Sequence, residues 1–515
     1  MDVALLIAAI VVAILTIVCS FYFYLYWSHE EDKYNGWYGI ITVVLGMSLA
    51  IWLVILPAFD TMNTSSGGDT LPMEIIWQVA AMAIIVFLAV LIPMAVFLYE
   101  SEGESIGCMK QFCGAVGYTV VAAVVFTLLA YLMFATIGYA EIPTPVYYAT
   151  LETYVEGTIP TTSTGALLDT VDIKIRPSFF VYIIGIISFV GYILFTVFGA
   201  VGIVALPMDL INEFRKRPHP MPDDEFAQWQ LFFRDRSARL MQILNVFRQE
   251  VYDGLTQEQL LAIEGESNPK KRFKKIYRTR DHRRTYNQLK QALADLETDY
   301  EYVLTSRGSR EYNPLVYWAK LFMGIGCAIL SVTWVVHVCL NVFPAEPISP
   351  FLDAFLAQFS NAEMVTIVLY SLLSLYLLFA VIKGTIKFGF RFLLFAVVHP
   401  MQQGKTFLNS FLFNVGLMLL SSLAVVEFCA TAFSTYFKDS TVDLLFNNTL
   451  DNLAYVHYFF DYASYVMLGF AVLTLLILVL FPGKGKHEDQ IESDLMQAGK
   501  LAADSSRNMA APKRK

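Results

Sequence analysis

Nine long apolar stretches, five before and four after one charged segment, constrain this chain more than anything else in it. A bilayer core about 30 Å thick needs about 20 consecutive apolar residues per helical span. The stretches near 3–27, 37–57, 72–99, 113–137, 178–206, 314–342, 364–390, 405–433 and 456–482 each supply them. The expected fold class is therefore all-α, a polytopic transmembrane bundle of nine spans with a cytosolic helical hairpin as its insert. Charged residues make up 16% of the chain, against about 25% in an ordinary soluble domain, and the mean hydropathy is +0.54. The expected segments are helices 1–5 over 1–206, an insert over 207–313, helices 6–9 over 314–482 and a tail over 483–515.

Orientation follows from the basic residues, which favour the cytosolic side. With the N-terminus outside or lumenal, the inner connections and the helix ends beside them carry 33 of the 36 Lys and Arg residues. Only Lys174, Arg176 and Lys438 fall outside. The expected location is the plasma membrane or an endolysosomal membrane, with the C-terminus in the cytosol. Two acceptor tripeptides, Asn63-Thr64-Ser65 and Asn447-Asn448-Thr449, lie on the outer side and are candidate glycosylation sites, although such tripeptides also arise by chance. Met1 to Ala9 has no basic residue and leads into an apolar run of normal span length, so the N-terminus reads as a span and not a cleaved signal. It ends in the aromatic cluster Phe21 to Trp27, which suits the headgroup layer. All six cysteines lie in spans or the short inner loop, so no disulfide framework is expected outside.

The segment from Asn212 to Asn313 holds 19 of the 36 basic residues. Lys270, Lys271 and Arg272 begin a basic block that extends to Arg284. It suits anionic lipid headgroups or a solvated linker equally well. Nucleic acid is not an expected partner, because the block is anchored at both ends and lacks a reading motif. Two apolar stripes flank it: Phe226, Trp229, Phe233, Leu240, Leu244, Phe247 and Val251, then His282, Tyr286, Leu289, Leu293, Leu296, Tyr300 and Val303. Their helical spacing predicts an antiparallel hairpin turning near Gly265 to Pro269. Self-packing explains both stripes, and the sharper reading is a coiled coil that recruits an unknown protein partner. The Tyr286 to Leu289 and Tyr252 to Leu255 tetrapeptides resemble sorting signals, but the first also occupies seam positions.

Several motifs carry a family resemblance. They are Gly199 to Ile211 followed by Phe214 to Pro218, then Ser349-Pro350-Phe351-Leu352, His399-Pro400-Met401, Asn409 to Leu417 and Phe428 to Phe433. In order and spacing they resemble the LMBR-like family of limb-region and lipocalin-interacting-receptor membrane proteins, in its plant and protist branch. The resemblance covers nearly the whole chain and is poor in the insert and in the outer loop 138–177. It implies nine spans with a long insert after the fifth, and a receptor or escort role.

The motif residues also have physical readings. Gly199 and Gly202 allow another helix to approach closely, and Pro207 is expected to end the helix and redirect the chain as an elbow. Asp209 is expected to cap or ion-pair there. Lys383, Lys387 and Arg391 recur every four residues on one stripe, which suits snorkelling to anionic headgroups. Glu427 and His337 lie towards the outer ends of opposite-running spans, so they form a candidate intramembrane pair. Asn409 and Asn414 are placed to bond across helices.

Phosphate-binding loops, zinc spacing and a nucleophile elbow are missing from the sequence, so no enzyme chemistry and no cofactor is expected. Two functions survive. In one, outer loops, especially 138–177, meet an extracellular or lumenal ligand while the insert recruits cytosolic partners. In the other, a polar path through the bundle moves a small solute or cofactor. The tail beyond Gly483 is polar, charged and too poor in apolar residues to fold alone.

Overall fold

The structure is a computed structural model that describes residues 3–29, 32–33, 36–65, 71–101, 108–147, 167–215, 217, 223–253, 285, 289, 292–293, 296–297, 300, 304, 314–344, 347–359, 362–388, 406–454 and 456–480. Helices α1 (Val3–Trp27), α2 (Trp37–Ser65), α3 (Met73–Val86), α4 (Ile92–Ser101) and α5 (Cys108–Ile137) come first. A two-stranded ribbon follows, β1 (Ala140–Tyr147) and β2 (Leu167–Ile175), then α6 (Phe179–Leu194), α7 (Ala200–Arg215) and α8 (Asp223–Asp253). The second half holds α9 (Pro314–His337), α10 (Phe351–Gln358), α11 (Glu363–Phe388), α12 (Leu408–Ala432) and α13 (His457–Leu480). Short π-helical turns at Phe87–Leu91 and Phe195–Gly199 join α3 to α4 and α6 to α7, and another at Val338–Val342 extends α9.

Among the described residues, nine helical segments are long and apolar enough to cross a membrane, as the sequence predicts. Two of them outrun the expected ends. α2 continues past 57 to Ser65, and the fifth span reaches Arg215 because the helix does not stop at Pro207. Proline has no N–H for the carbonyl of Ile203, one turn earlier. Ser331 Oγ supplies the missing donor to that oxygen at 2.6 Å, so the predicted elbow is a continuous helix.

The chain divides into two compact units, Met1–Leu210 with Met323–Leu476, and Ile211–Phe322 with Ile477–Lys515. In the first unit α12 is the central helix: 78% of its span is buried, against 17% for α1 and 6% for α5. Small residues such as Ser421, Ser422, Ala424 and Ala430 let neighbouring backbones approach it. A Cβ at Gly191 would stand 2.1 Å from the Leu420 carbonyl oxygen. The crossing of α7 and α11 is closer: a Cβ at Gly202 would lie 1.6 Å from Ala380 O, and one at Gly384 1.9 Å from Phe198 O.

The β ribbon was not expected in what reads as the outer loop 138–177, and β1 holds two prolines, Pro143 and Pro145. Both share the parity of Glu141, whose N–H points away from β2 and donates to Asn452 O at 2.9 Å. Neither proline therefore costs a ladder bond with β2. The only two basic residues of the loop serve structure: Lys174 pairs with Glu141 at 2.8 Å, and Arg176 donates to Ala135 O at 3.0 Å.

In the second unit, α8 packs antiparallel to the helical positions from 285 to 304. Phe247 and Val251 meet Leu289 and Ala292, while Phe226 and Phe233 meet Leu296. The seam differs from the predicted stripe in register. Leu244 and Trp229 are partly exposed and Leu293 is 60% exposed, because Ala292 takes the inward position beside it. The expected turn at Gly265 to Pro269, the basic block with Lys270, Lys271 and Arg272, and the positions His282, Tyr286 and Val303 lie outside the described residues, as do Arg391, His399, Pro400 and the tail.

Candidate functional site

Four buried polar side chains of the first unit act at the ends of α12 and on the segment after it. At its start the backbone N–H of Leu408 needs an acceptor from beyond the helix. Asp32, in the connection after α1, accepts that bond at 2.8 Å and a second from the Tyr99 hydroxyl at 3.1 Å. The Tyr24 hydroxyl donates to the backbone oxygen of Asp32 at 2.9 Å and holds the connection in place. A carboxylate at a helix start also complements the helix dipole.

At the other end of α12 the Ala432 carbonyl accepts from His337 Nε2 and from Asn341 Nδ2, each at 3.0 Å. A carbonyl can only accept, so Nε2 carries the imidazole proton, and Nδ1 has no hydrogen-bond partner. The ring stacks on Phe433, with centroids 5.6 Å apart. Just beyond, both oxygens of the buried Asp353 accept backbone N–H groups, from Thr435 at 2.9 Å and Tyr436 at 2.8 Å. Burial also pushes the Tyr436 hydroxyl well above its usual range, so it remains a neutral phenol. Asp60, near the end of α2, accepts from Val442 N at 2.8 Å and from Trp77 Nε1 at 3.2 Å. Thus three acidic side chains and one histidine fasten α12 and its continuation from four distant segments.

Two predicted arrangements are replaced. His337 and Glu427 are not a pair: His337 is committed to Ala432, and Glu427 accepts from the Ser188 hydroxyl of α6. Both are buried, 0% and 1% exposed. Depth along a span gives height in the membrane but not the face of the helix. Lys383 and Lys387 do not simply reach out to headgroups, for they converge on Asp209 at 3.0 and 2.7 Å and tie α11 to α7. Asn409 does reach across, to Glu100 at 3.5 Å, whereas Asn414 turns back to Ser410 O in its own helix at 2.8 Å.

Neither acceptor asparagine has an idle amide. Asn63 is 3% exposed and closes a ring with Leu71, donating to its O at 3.0 Å and accepting from its N at 2.8 Å. Asn447 Nδ2 donates to Asp443 Oδ1 at 2.9 Å and to Ala430 O at 3.2 Å. Both acceptor amides are thus engaged in contacts within the folded chain. Among the described residues no three His, Cys, Asp or Glu side chains are grouped to hold a metal ion.

The second unit offers a surface site instead. Phe233, Leu296 and Tyr300 line a groove of about 590 Å³ with Leu293, rimmed by Arg234 and Glu297. Leu293 is apolar, exposed and unused by the hairpin's own seam. The sequence missed this groove because it counted Leu293 as seam. It missed the anchors Asp32, Asp60, Asp353 and Ser188 because they stand near span ends or are ordinary small polar residues, although Asp60 and Asp353, acidic residues without basic neighbours, were a usable signal.

A family model described as LMBR1-like membrane protein matches residues 5–315. A LIMR family protein of Dictyostelium discoideum is 29% identical over 519 residues, covering 93% of this chain and 98% of its own length. LIMR family proteins of Arabidopsis thaliana and Oryza sativa subsp. japonica are each 28% identical, over 505 and 510 residues, with 93% of this chain and 96% of each relative covered. No solved structure matches the chain.

Proposed function

The chain belongs to the LMBR1-like membrane protein family, and on that premise we propose that it is a multi-pass receptor or trafficking adaptor whose hairpin groove takes an amphipathic helix of a cytosolic protein. One observation carries this reading: Leu293 stands 60% exposed in a groove with Phe233 and Tyr300, while its neighbours Leu289, Ala292 and Leu296 are buried. A helix already stabilised by its own seam does not need that leucine for folding. An apolar anchor with charged residues at its rim is the usual form of a helix-in-groove site. Arg234 and Glu297 would set the orientation of the incoming helix.

The sealed state of Glu427 and His337 supports this reading over a solute path through them. The ribbon β1–β2 would face the ligand side if the basic residues orient the chain as expected.

The test is proximity labelling from the hairpin of the full chain in cells. Leu293→Asp should remove specific cytosolic neighbours while expression, location and thermal stability persist. Leu296→Asp, which puts a charge into the seam, should lose both neighbours and hairpin fold. An unchanged neighbour set with Leu293→Asp would overturn the proposal.

A further inference from the structure

A second site lies in the first unit, independent of the hairpin. α1 and α11 both pack on α2, α12 packs on α2 and α11, and Phe411 of α12 meets Tyr24 of α1. Between the facing sides of α1 and α11 is a slot of about 210 Å³. Its floor is Met47 and Ile51 of α2 with Phe411 and Met418 of α12, and its walls are Phe23 of α1 and Ile382 of α11. Cys19 of α1, which is exposed, lines its lipid-facing side.

Length and chemistry identify the occupant. Along α12 the lining runs from Phe411 to Ser421, about 15 Å at 1.5 Å per residue. That is about half the 30 Å hydrocarbon thickness, the depth of one leaflet. The slot begins near one membrane surface, since Phe411 is three residues into α12 and Thr385 lies in the last turn of α11. It ends near the middle, where Ser421 and Ile51 stand halfway along their helices. An apolar cavity larger than about 150 Å³ takes an apolar guest in preference to water. The hydroxyls of Ser20 and Ser421, on lining residues, have no hydrogen-bond partner in the protein, so no polar network crosses the slot to fill it. We propose that the slot between α1 and α11 binds a single acyl chain of a membrane lipid, inserted lengthwise from the surface where α12 begins. The carbon lining selects for hydrocarbon, and the one-leaflet length selects for a chain running parallel to the helices.

The experiment uses the full chain in phosphatidylcholine nanodiscs with two photoreactive probes, a palmitic acid with a terminal diazirine and a phosphatidylcholine carrying the same chain. Mass spectrometry then maps the adducts. Adducts should concentrate on peptides containing Ile51 and Met418. Cys19→Phe, which narrows the slot from the α1 side, and Ser421→Leu, which fills the deep end, should each bring labelling down to the level of exposed residues such as Val121 and Val124 of α5. Val472→Phe on the exposed face of α13 should leave the pattern as it is. Labelling by the phospholipid alone identifies a resident bilayer lipid, and labelling by the free acid identifies a fatty acid, both consistent with an acyl-chain site. Wild-type adducts spread evenly over all exposed helices, or slot adducts that survive both substitutions in folded protein, would overturn it.

Discussion

A charged side chain in this molecule matters in proportion to what it leaves behind when removed. Asp353 takes two backbone N–H groups at a buried corner, and each donor left unsatisfied costs about 1–3 kcal/mol. Asp209 instead meets two lysines whose side chains are 26% and 38% exposed, a setting in which solvent screens the pair and its net worth is about 0–1 kcal/mol. Asp353→Ala should therefore lower the thermal midpoint of the purified chain clearly more than Asp209→Asn. Equal losses would show that the exposed pair is worth more than its exposure suggests. Asp209 was expected to cap or ion-pair at an elbow, and it ion-pairs inside a continuous helix with Lys383 and Lys387, which the sequence had sent to the headgroups. The partners of His337 and Glu427 were not legible, because sequence position fixes their depth and leaves the helix face free. Ser188, the actual partner of Glu427, carries no charge to draw notice.

Helices here are kept continuous by neighbours. Pro207 should have broken α7, and what prevents this is a hydroxyl from α9: Ser331 Oγ donates to Ile203 O, the carbonyl that proline strands. The coupling can be measured by a double-mutant cycle. Ser331→Ala should destabilise the natural chain by about 1–2 kcal/mol, since a buried carbonyl loses its donor. In a Pro207→Ala background the restored N–H satisfies that carbonyl, so the same change should cost distinctly less. Strict additivity, read from thermal or denaturant unfolding in detergent, would mean that Ser331 acts only through its contact with Tyr376. At this scale the sequence revealed Gly202 as a close-approach position and Pro207 as special. It hid the outcome, because a proline's effect depends on whether another element brings a donor within reach. The hairpin shows the same limit: helical spacing gave the two stripes, yet a choice between Leu293 and Ala292 for the inward position rests on a rotation of the helix that spacing alone does not fix.

For the whole chain, the nine spans were readable because the bilayer imposes a length and composition that nothing else in a sequence imitates. Orientation is a separate matter, carried by charge asymmetry: 33 of 36 Lys and Arg lie on one side of the expected arrangement. The natural acceptor tripeptides are poor reporters of it, since the Asn63 and Asn447 amides are committed to Leu71, Asp443 and Ala430. We therefore expect glycosidase treatment of the natural protein to leave its mobility unchanged whichever way the chain faces. An acceptor tripeptide placed between 148 and 166, in the segment joining β1 to β2, should add one glycosidase-sensitive step. The same tripeptide placed between 254 and 284, in the connection of the hairpin, should add none. Modification at the hairpin and not at the ribbon loop would reverse the orientation. It would also place the Leu293 groove in the lumen, beyond the reach of any cytosolic partner, so this measurement bears on the adaptor reading as directly as a binding assay does.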